Sequence, residues 1–143
     1  MLKDPEHTRY LSLNIPATLS DVETMTDLML SDPKNCLWTI RQQSDESFAG
    51  MCGFLNDSET PNFIYSILEA LKGLGYATEA CEKAIPAGVK LFEFSEVELN
   101  IHEANFASHR IAEKLGFQKH HTYQHKYPRD PEPVGVWAWR KSF

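Results

Sequence analysis

Ile64-Tyr65-Ser66-Ile67-Leu68-Glu69-Ala70-Leu71-Lys72-Gly73-Leu74-Gly75-Tyr76-Ala77-Thr78-Glu79-Ala80 runs from an apolar stretch through two closely spaced glycines into a segment of helical periodicity. A strand, a tight turn and a helix start are therefore expected in that order. The first N–H groups of a helix have no intrahelical partner and carry partial positive charge, and glycine lets the chain approach an anion without a Cβ between them. Gly73 and Gly75 alone fit an ordinary loop as well as an anion site. A dinucleotide-binding turn requires a further glycine that this stretch lacks, and a phosphate-binding P-loop requires Gly-Lys-Ser/Thr, also missing.

Downstream, apolar or small residues at Ala77, Ala80, Cys81, Ala84, Ile85, Gly88, Val89 and Phe92 repeat at helical spacing. Pro86 should kink this helix and end its regular part early, because it cannot bond the carbonyl of Glu82. Val97 to His102 alternates, with Val97, Leu99 and Ile101 on one face of a strand and Glu98, Asn100 and His102 on the other. A short helix follows from about Phe106 to Leu115, capped by Asn105 and stopped by Gly116, with Phe117 closing its end. Tyr123 and Val136 to Arg140 suggest a final hairpin around a loop from Pro128 to Gly135.

Upstream, the first 34 residues read as two helical pieces. Ser20-Asp21-Val22-Glu23 has the spacing of a capping box and opens the second, which runs to about Ser31 before Asp32-Pro33. Cys36 to Gln42 and Phe48 to Leu55 form a hairpin across Gln43 to Ser47, and Phe63 to Leu68 is a third strand after the turn from Asp57 to Pro61. A chain of 143 residues, 42% of them hydrophobic, has material for one compact domain, 1–143, of α/β (α+β) class.

No apolar run is long enough to span a bilayer, and the Met1 to Pro5 start lacks a secretion signal's apolar stretch, so a soluble, cytoplasmic protein without membrane partners is expected. A net charge of -6 with no basic stripe argues against nucleic acid. Cys36, Cys52 and Cys81 are widely spaced in apolar surroundings, as reduced core thiols are. No metal site is expected: His120, His121 and His125 cluster in sequence, but adjacent strand residues point to opposite faces. Trp38, Trp137 and Trp139 suit core or cleft wall.

The stretch Leu71 to Ala80 resembles the coenzyme A signature of the GNAT acetyltransferases, and within them the ribosomal-protein N-terminal alanine and serine acetyltransferase type, in its glycine turn followed by Tyr76-Ala77-Thr78-Glu79-Ala80. Asn105, Ser108, Arg110 and Glu113 to Phe117 resemble that family's Asn-x-x-Ser helix ending in Glu-Lys-Leu-Gly-Phe. The likeness covers residues 35 to 143 well and the beginning poorly. Glu69 stands where the family has proline, and Lys72 replaces a common aromatic or polar residue. Members of this type begin with a strand and a helix ahead of the segment similar to Asp4 to Tyr10, and here only Met1 to Lys3 precede it. A chain shortened at the front, lacking the first strand, is expected, with a homodimer partner or a rearranged segment over the exposed edge.

The resemblance implies a mixed, largely antiparallel sheet flanked by helices, with direct acetyl transfer from acetyl-coenzyme A to a primary amine on a peptide or small molecule. It implies that backbone N–H groups of Lys72, Gly73, Leu74, Gly75, Tyr76 and Ala77 hold the pyrophosphate. The edge at Ile67 and Leu68 would pair with the pantetheine arm. Asn105 would reach that arm in addition to capping its helix, and Ser108 would serve as proton donor to the leaving thiolate or only as a local cap partner. The general base stays open between His102 and Glu98, each equally readable as a plain strand residue. The rival reading is a non-catalytic coenzyme A binding or regulatory module.

Overall fold

The structure is a computed structural model that describes residues 19–127 and 130–143. The first expected helical piece and the expected absence of a first strand fall on residues 1–18, outside that range. Helix α1 spans Leu19–Met29, so Ser20 lies inside its first turn rather than at its cap. Strands β1 (Cys36–Arg41), β2 (Phe48–Leu55) and β3 (Asn62–Ile67) follow as an antiparallel meander. Asn35 fastens the front to the sheet, its amide donating to the Met29 carbonyl and its oxygen accepting from the Asn56 N–H.

A short 3-10 turn, Glu69–Leu71, leads into α2, Tyr76–Phe92, and the chain returns as β4, Glu96–His102. Pro86 does not end α2 early: the helix continues for six more residues, to Phe92. Pro86 and Glu82 both lie on the exposed side of α2, so the carbonyl that loses its donor faces water. Helix α3 (Phe106–Lys114) and the antiparallel strands β5 (Gln118–His125) and β6 (Val134–Ser142) complete the chain.

The six strands lie in the order β1-β2-β3-β4-β6-β5. Every neighbouring pair is antiparallel except β3 and β4, which run parallel because α2 carries the chain back to the same end of the sheet. The expected mixed, largely antiparallel sheet flanked by helices is thus present. Phe54, Phe63, Val97, Leu99, Ile101 and Trp139 on one sheet face meet Cys81 and Ile85 of α2 and Ala112 of α3. Gly88 allows α2 to sit this close, since a Cβ there would lie 2.1 Å from the Phe54 ring. Burial pushes the Cys52 thiol up to about 11 and the Cys81 thiol up to about 12, so both stay protonated, as core thiols should.

Strand β5 is exposed along its whole length at the sheet border. Here strict alternation fails. The pairing of β5 with β6 shifts between Lys119 and His121, which makes His120 an extra, bulged residue. The His120 and His121 rings consequently meet, with their Nδ1 atoms 2.8 Å apart, instead of pointing to opposite faces. Even so, no group of three metal-ligating side chains occurs among the described residues.

Candidate active site

Strands β3 and β4 share one paired position, Asn62 with Glu98, joined by the bond from the Glu98 N–H to the Pro61 carbonyl at 2.9 Å. Beyond it they part. A cleft of about 770 Å³ occupies the opening, bounded by β3, the glycine turn, β4 and the first turns of α3. Both sequence motifs therefore border one cavity although about 30 residues of chain separate them.

The turn has the geometry its glycines suggest. Gly73 and Gly75 take φ of 75° and 89°, and apart from their own chain neighbours nothing lies within 4 Å of where either Cβ would stand. Gly75 caps α2 without a side-chain bond, and the helical ladder starts only with the Glu79 N–H on the Gly75 carbonyl. The amides of Tyr76, Ala77 and Thr78 lie ahead of that first bond, beside the cleft. The Tyr76 hydroxyl donates to Gln42 Oε1 at 2.7 Å, tying the turn to the end of β1. Glu79 points a negative charge at the same helix end, but Lys83 binds it at 2.8 Å and holds its carboxyl below the ordinary range. Lys72 is ion-paired to Glu69 at 2.5 Å, and Arg110 and Lys114 also border the cleft.

Ile67 lines the cleft, whereas Leu68 and Leu74 do not, and Leu74 is 66% exposed. Leu68 donates its N–H to the Ala49 carbonyl and accepts from the Leu71 N–H, both at 2.9 Å, so its backbone is already engaged. Asn105 caps α3 as expected, its Oδ1 accepting from the Ser108 N–H at 3.3 Å, which leaves its amide NH₂ as the group for a ligand. Ser108 lines the cleft beside it.

The two candidate bases part company. Glu98 is not on the cleft wall; it is buried, with Arg140 Nε at 2.7 Å from one oxygen and Asn100 Nδ2 at 2.9 Å from the other. His102 does reach the cleft, but its Nδ1 accepts from the Ala104 N–H at 2.9 Å. Its Nε2 lies 3.7 Å from Asp130, and its ring rests on Tyr127. The neutral His102 ring thus has no uncommitted lone pair, and each Glu98 oxygen already accepts one hydrogen bond. None of the three tryptophans lines the cleft; Trp139 is core, and Trp137 lies under the Lys119 ammonium.

His109 was not singled out by the sequence. The Trp139 indole donates to its Nδ1 at 3.1 Å, which puts the ring proton on Nε2, 3.1 Å from the His102 carbonyl. This imidazole locks α3 onto β4 and β6. Burial, aided by Lys119, holds its pKa below the ordinary value, against the pull of the Glu103 and His102 carbonyls and the Glu113 charge. Since protonation is harder in the folded chain, the stability this lock contributes is complete above about pH 6.5 and is lost as pH falls through the folded pKa. The stability gap between the wild type and His109→Phe, taken from urea unfolding, should narrow as pH is lowered from about 7 to 5. A gap constant with pH would refute the neutral lock.

Comparison with known proteins agrees with this geometry. The profile of the acetyltransferase (GNAT) domain family matches residues 1–118, so the likeness extends through the front, where the residue motifs had carried it poorly. The uncharacterized N-acetyltransferase p20 of Bacillus licheniformis is 28% identical over 123 residues, 81% of this chain and 68% of the relative. The GNAT-family acetyltransferase of Bacillus anthracis superposes with a TM-score of 0.81 at 15% identity, covering 99% of this chain and 84% of that one. The spermidine N-acetyltransferase of Vibrio cholerae, solved in complex with CoA and spermine, gives 0.84 at 11% identity over 98% of this chain and 84% of its own. With its profile match, its fold and its cleft in agreement, the chain belongs to the GNAT family and is an acetyl-coenzyme A dependent acetyltransferase.

Proposed function

We propose that this enzyme moves the acetyl group of acetyl-coenzyme A directly onto a primary amine, of a protein N-terminus or a small molecule, within the cleft between β3 and β4. The observation that carries the reading is the pair of left-handed glycines ahead of three uncommitted helix amides, set against that cleft. Those amides suit the pyrophosphate, with Arg110 and Lys114 adding positive charge at the rim. The parted edges of β3 and β4 suit the pantetheine arm, and Asn105 and Ser108 border its reacting end. The ribosomal-protein N-terminal type is supported by Tyr76 to Ala80 and by the Asn105 to Phe117 helix. A polyamine acceptor is suggested only by likeness of fold to the spermidine enzyme.

Three protonated or half-buried thiols suit a reducing compartment, and on that ground we place the reaction in the cytoplasm. No helix among the described residues is long and apolar enough to cross a membrane. The second reading, a coenzyme A binding module without turnover, is favoured by one observation: His102 and Glu98 are both committed to other partners. Titration with acetyl-coenzyme A, followed by release of free thiol over a panel of N-terminal peptides and polyamines, separates the two. Binding with thiol release on one class is the expected result. Binding without release across the panel selects the module, and absence of binding removes both readings.

A further inference from the structure

Four buried side-chain atoms lack a hydrogen-bond partner among the described residues: Asn62 Oδ1, Asn100 Oδ1, Asp130 Oδ2 and the Tyr65 hydroxyl. The two amide oxygens can only accept, as can the carboxylate when ionised. Tyr65 alone carries a proton to give. It lies on β3 in the wall of the cleft, and its hydroxyl faces Ser108 of α3 without a bond of proper length and angle. Ser108 eases the cost of burial but does not cancel it.

A buried hydroxyl without a partner is a net cost to folding, and phenylalanine would pack the same ring without that cost. The ring itself is well placed in the core side of β3, with its centroid 6.5 Å from that of Phe63. Packing therefore accounts for the ring and not for the oxygen. An acceptor entering between β3 and α3 accounts for both. We propose that the Tyr65 hydroxyl donates a hydrogen bond to the coenzyme A sulfur as it leaves the acetyl group, a role that rests on the acetyl-transfer reading above.

In the step, the amine nitrogen bonds to the thioester carbonyl carbon, the C–S bond breaks, and its electron pair stays on sulfur. The amine proton departs to solvent. The Tyr65 O–H bond does not break. Burial raises the phenol far above its usual range, well past a thiol, so it stabilises the thiolate by donation without surrendering its proton. Proton delivery to the sulfur, if any side chain performs it, falls to Ser108 or to water, which separates the two hydroxyls by role.

The test compares coenzyme A with desulfo-coenzyme A, which lacks the sulfur, on wild type and Tyr65→Phe by calorimetry at pH 9, where much of the thiol is ionised. The substitution should weaken coenzyme A about tenfold, the worth of one hydrogen bond to a charged group, and leave desulfo-coenzyme A within twofold. Its melting temperature should equal or exceed that of the wild type, since a buried orphan is removed. In turnover, kcat should fall about tenfold with little change in KM for acetyl-coenzyme A. Equal weakening of both ligands would assign the bond to the pantetheine arm and overturn the proposal, as would unchanged binding of coenzyme A. If wild type binds neither ligand, the acetyl-transfer reading itself fails.

Discussion

Gly75→Val is expected to raise the dissociation constant for acetyl-coenzyme A at least a hundredfold while the protein remains folded. Gly75 holds φ of 89° and ψ of -6°, a backbone state that costs an ordinary residue about 1–2 kcal/mol and a β-branched one more. Relief comes by rotating the peptide into the right-handed region. That rotation turns the N–H groups of Tyr76 and Ala77 away from the cleft, and each bond to a phosphate oxygen is worth about 1.5–3 kcal/mol. Even an unrotated valine would project from a Cβ that meets nothing but its chain neighbours within 4 Å, into the space beside the turn. The loss is therefore one of ligand binding and not of packing. Gly75→Ala, strained but smaller, should fall between wild type and valine. A folded Gly75→Val chain with unchanged affinity would remove the turn from the site.

Arg140→Ala is expected to cost about 3 kcal/mol of stability, read from the urea midpoint, without any effect on coenzyme A affinity. Glu98 is 6% exposed, and Arg140 supplies one of its two hydrogen bonds as well as its only close positive charge among the described residues. Removing one member of a buried pair strands the other charge, and that penalty exceeds what the intact pair contributes. Arg140 also reaches Glu96 at 3.4 Å, so the change leaves two carboxylates on one strand face without their counter-ion. Replacing the pair together, as Glu98→Met with Arg140→Leu, should recover most of the loss because no charge is then buried. A loss below about 0.5 kcal/mol for Arg140→Ala would mean that solvent already screens the pair. The same substitutions test Glu98 as a base: a double variant with normal turnover removes it from the chemistry.

Local chemistry made much of this fold legible. Asn105 and Gly116 delimit α3 because a side-chain cap and a left-handed stop act on their immediate neighbours. The bounds of β1 to β4 and of β6 came within a residue or two for the same reason, since the side-chain pattern is a property of the strand itself, whereas β5 was marked by Tyr123 alone. Glu98 shows where that logic stops. Its place on a polar face was readable, but its partner lies 42 residues away on β6, and only the folded sheet brings the two together. Tyr65 sits within an apolar strand, and nothing local reveals that its hydroxyl lacks a partner. Pro86 was overestimated, since neighbouring turns packed on the sheet hold α2 together across one missing bond.

His120 has a further effect at the border of the sheet. One additional residue in β5 puts a phase shift into the row of donors and acceptors that this outermost strand presents outward. A strand arriving alongside could match the row on one side of His120 and would be out of step on the other. The border thus limits its own extension with no proline within β5 and no covering segment among the described residues, which favours molecules that stay separate along this side.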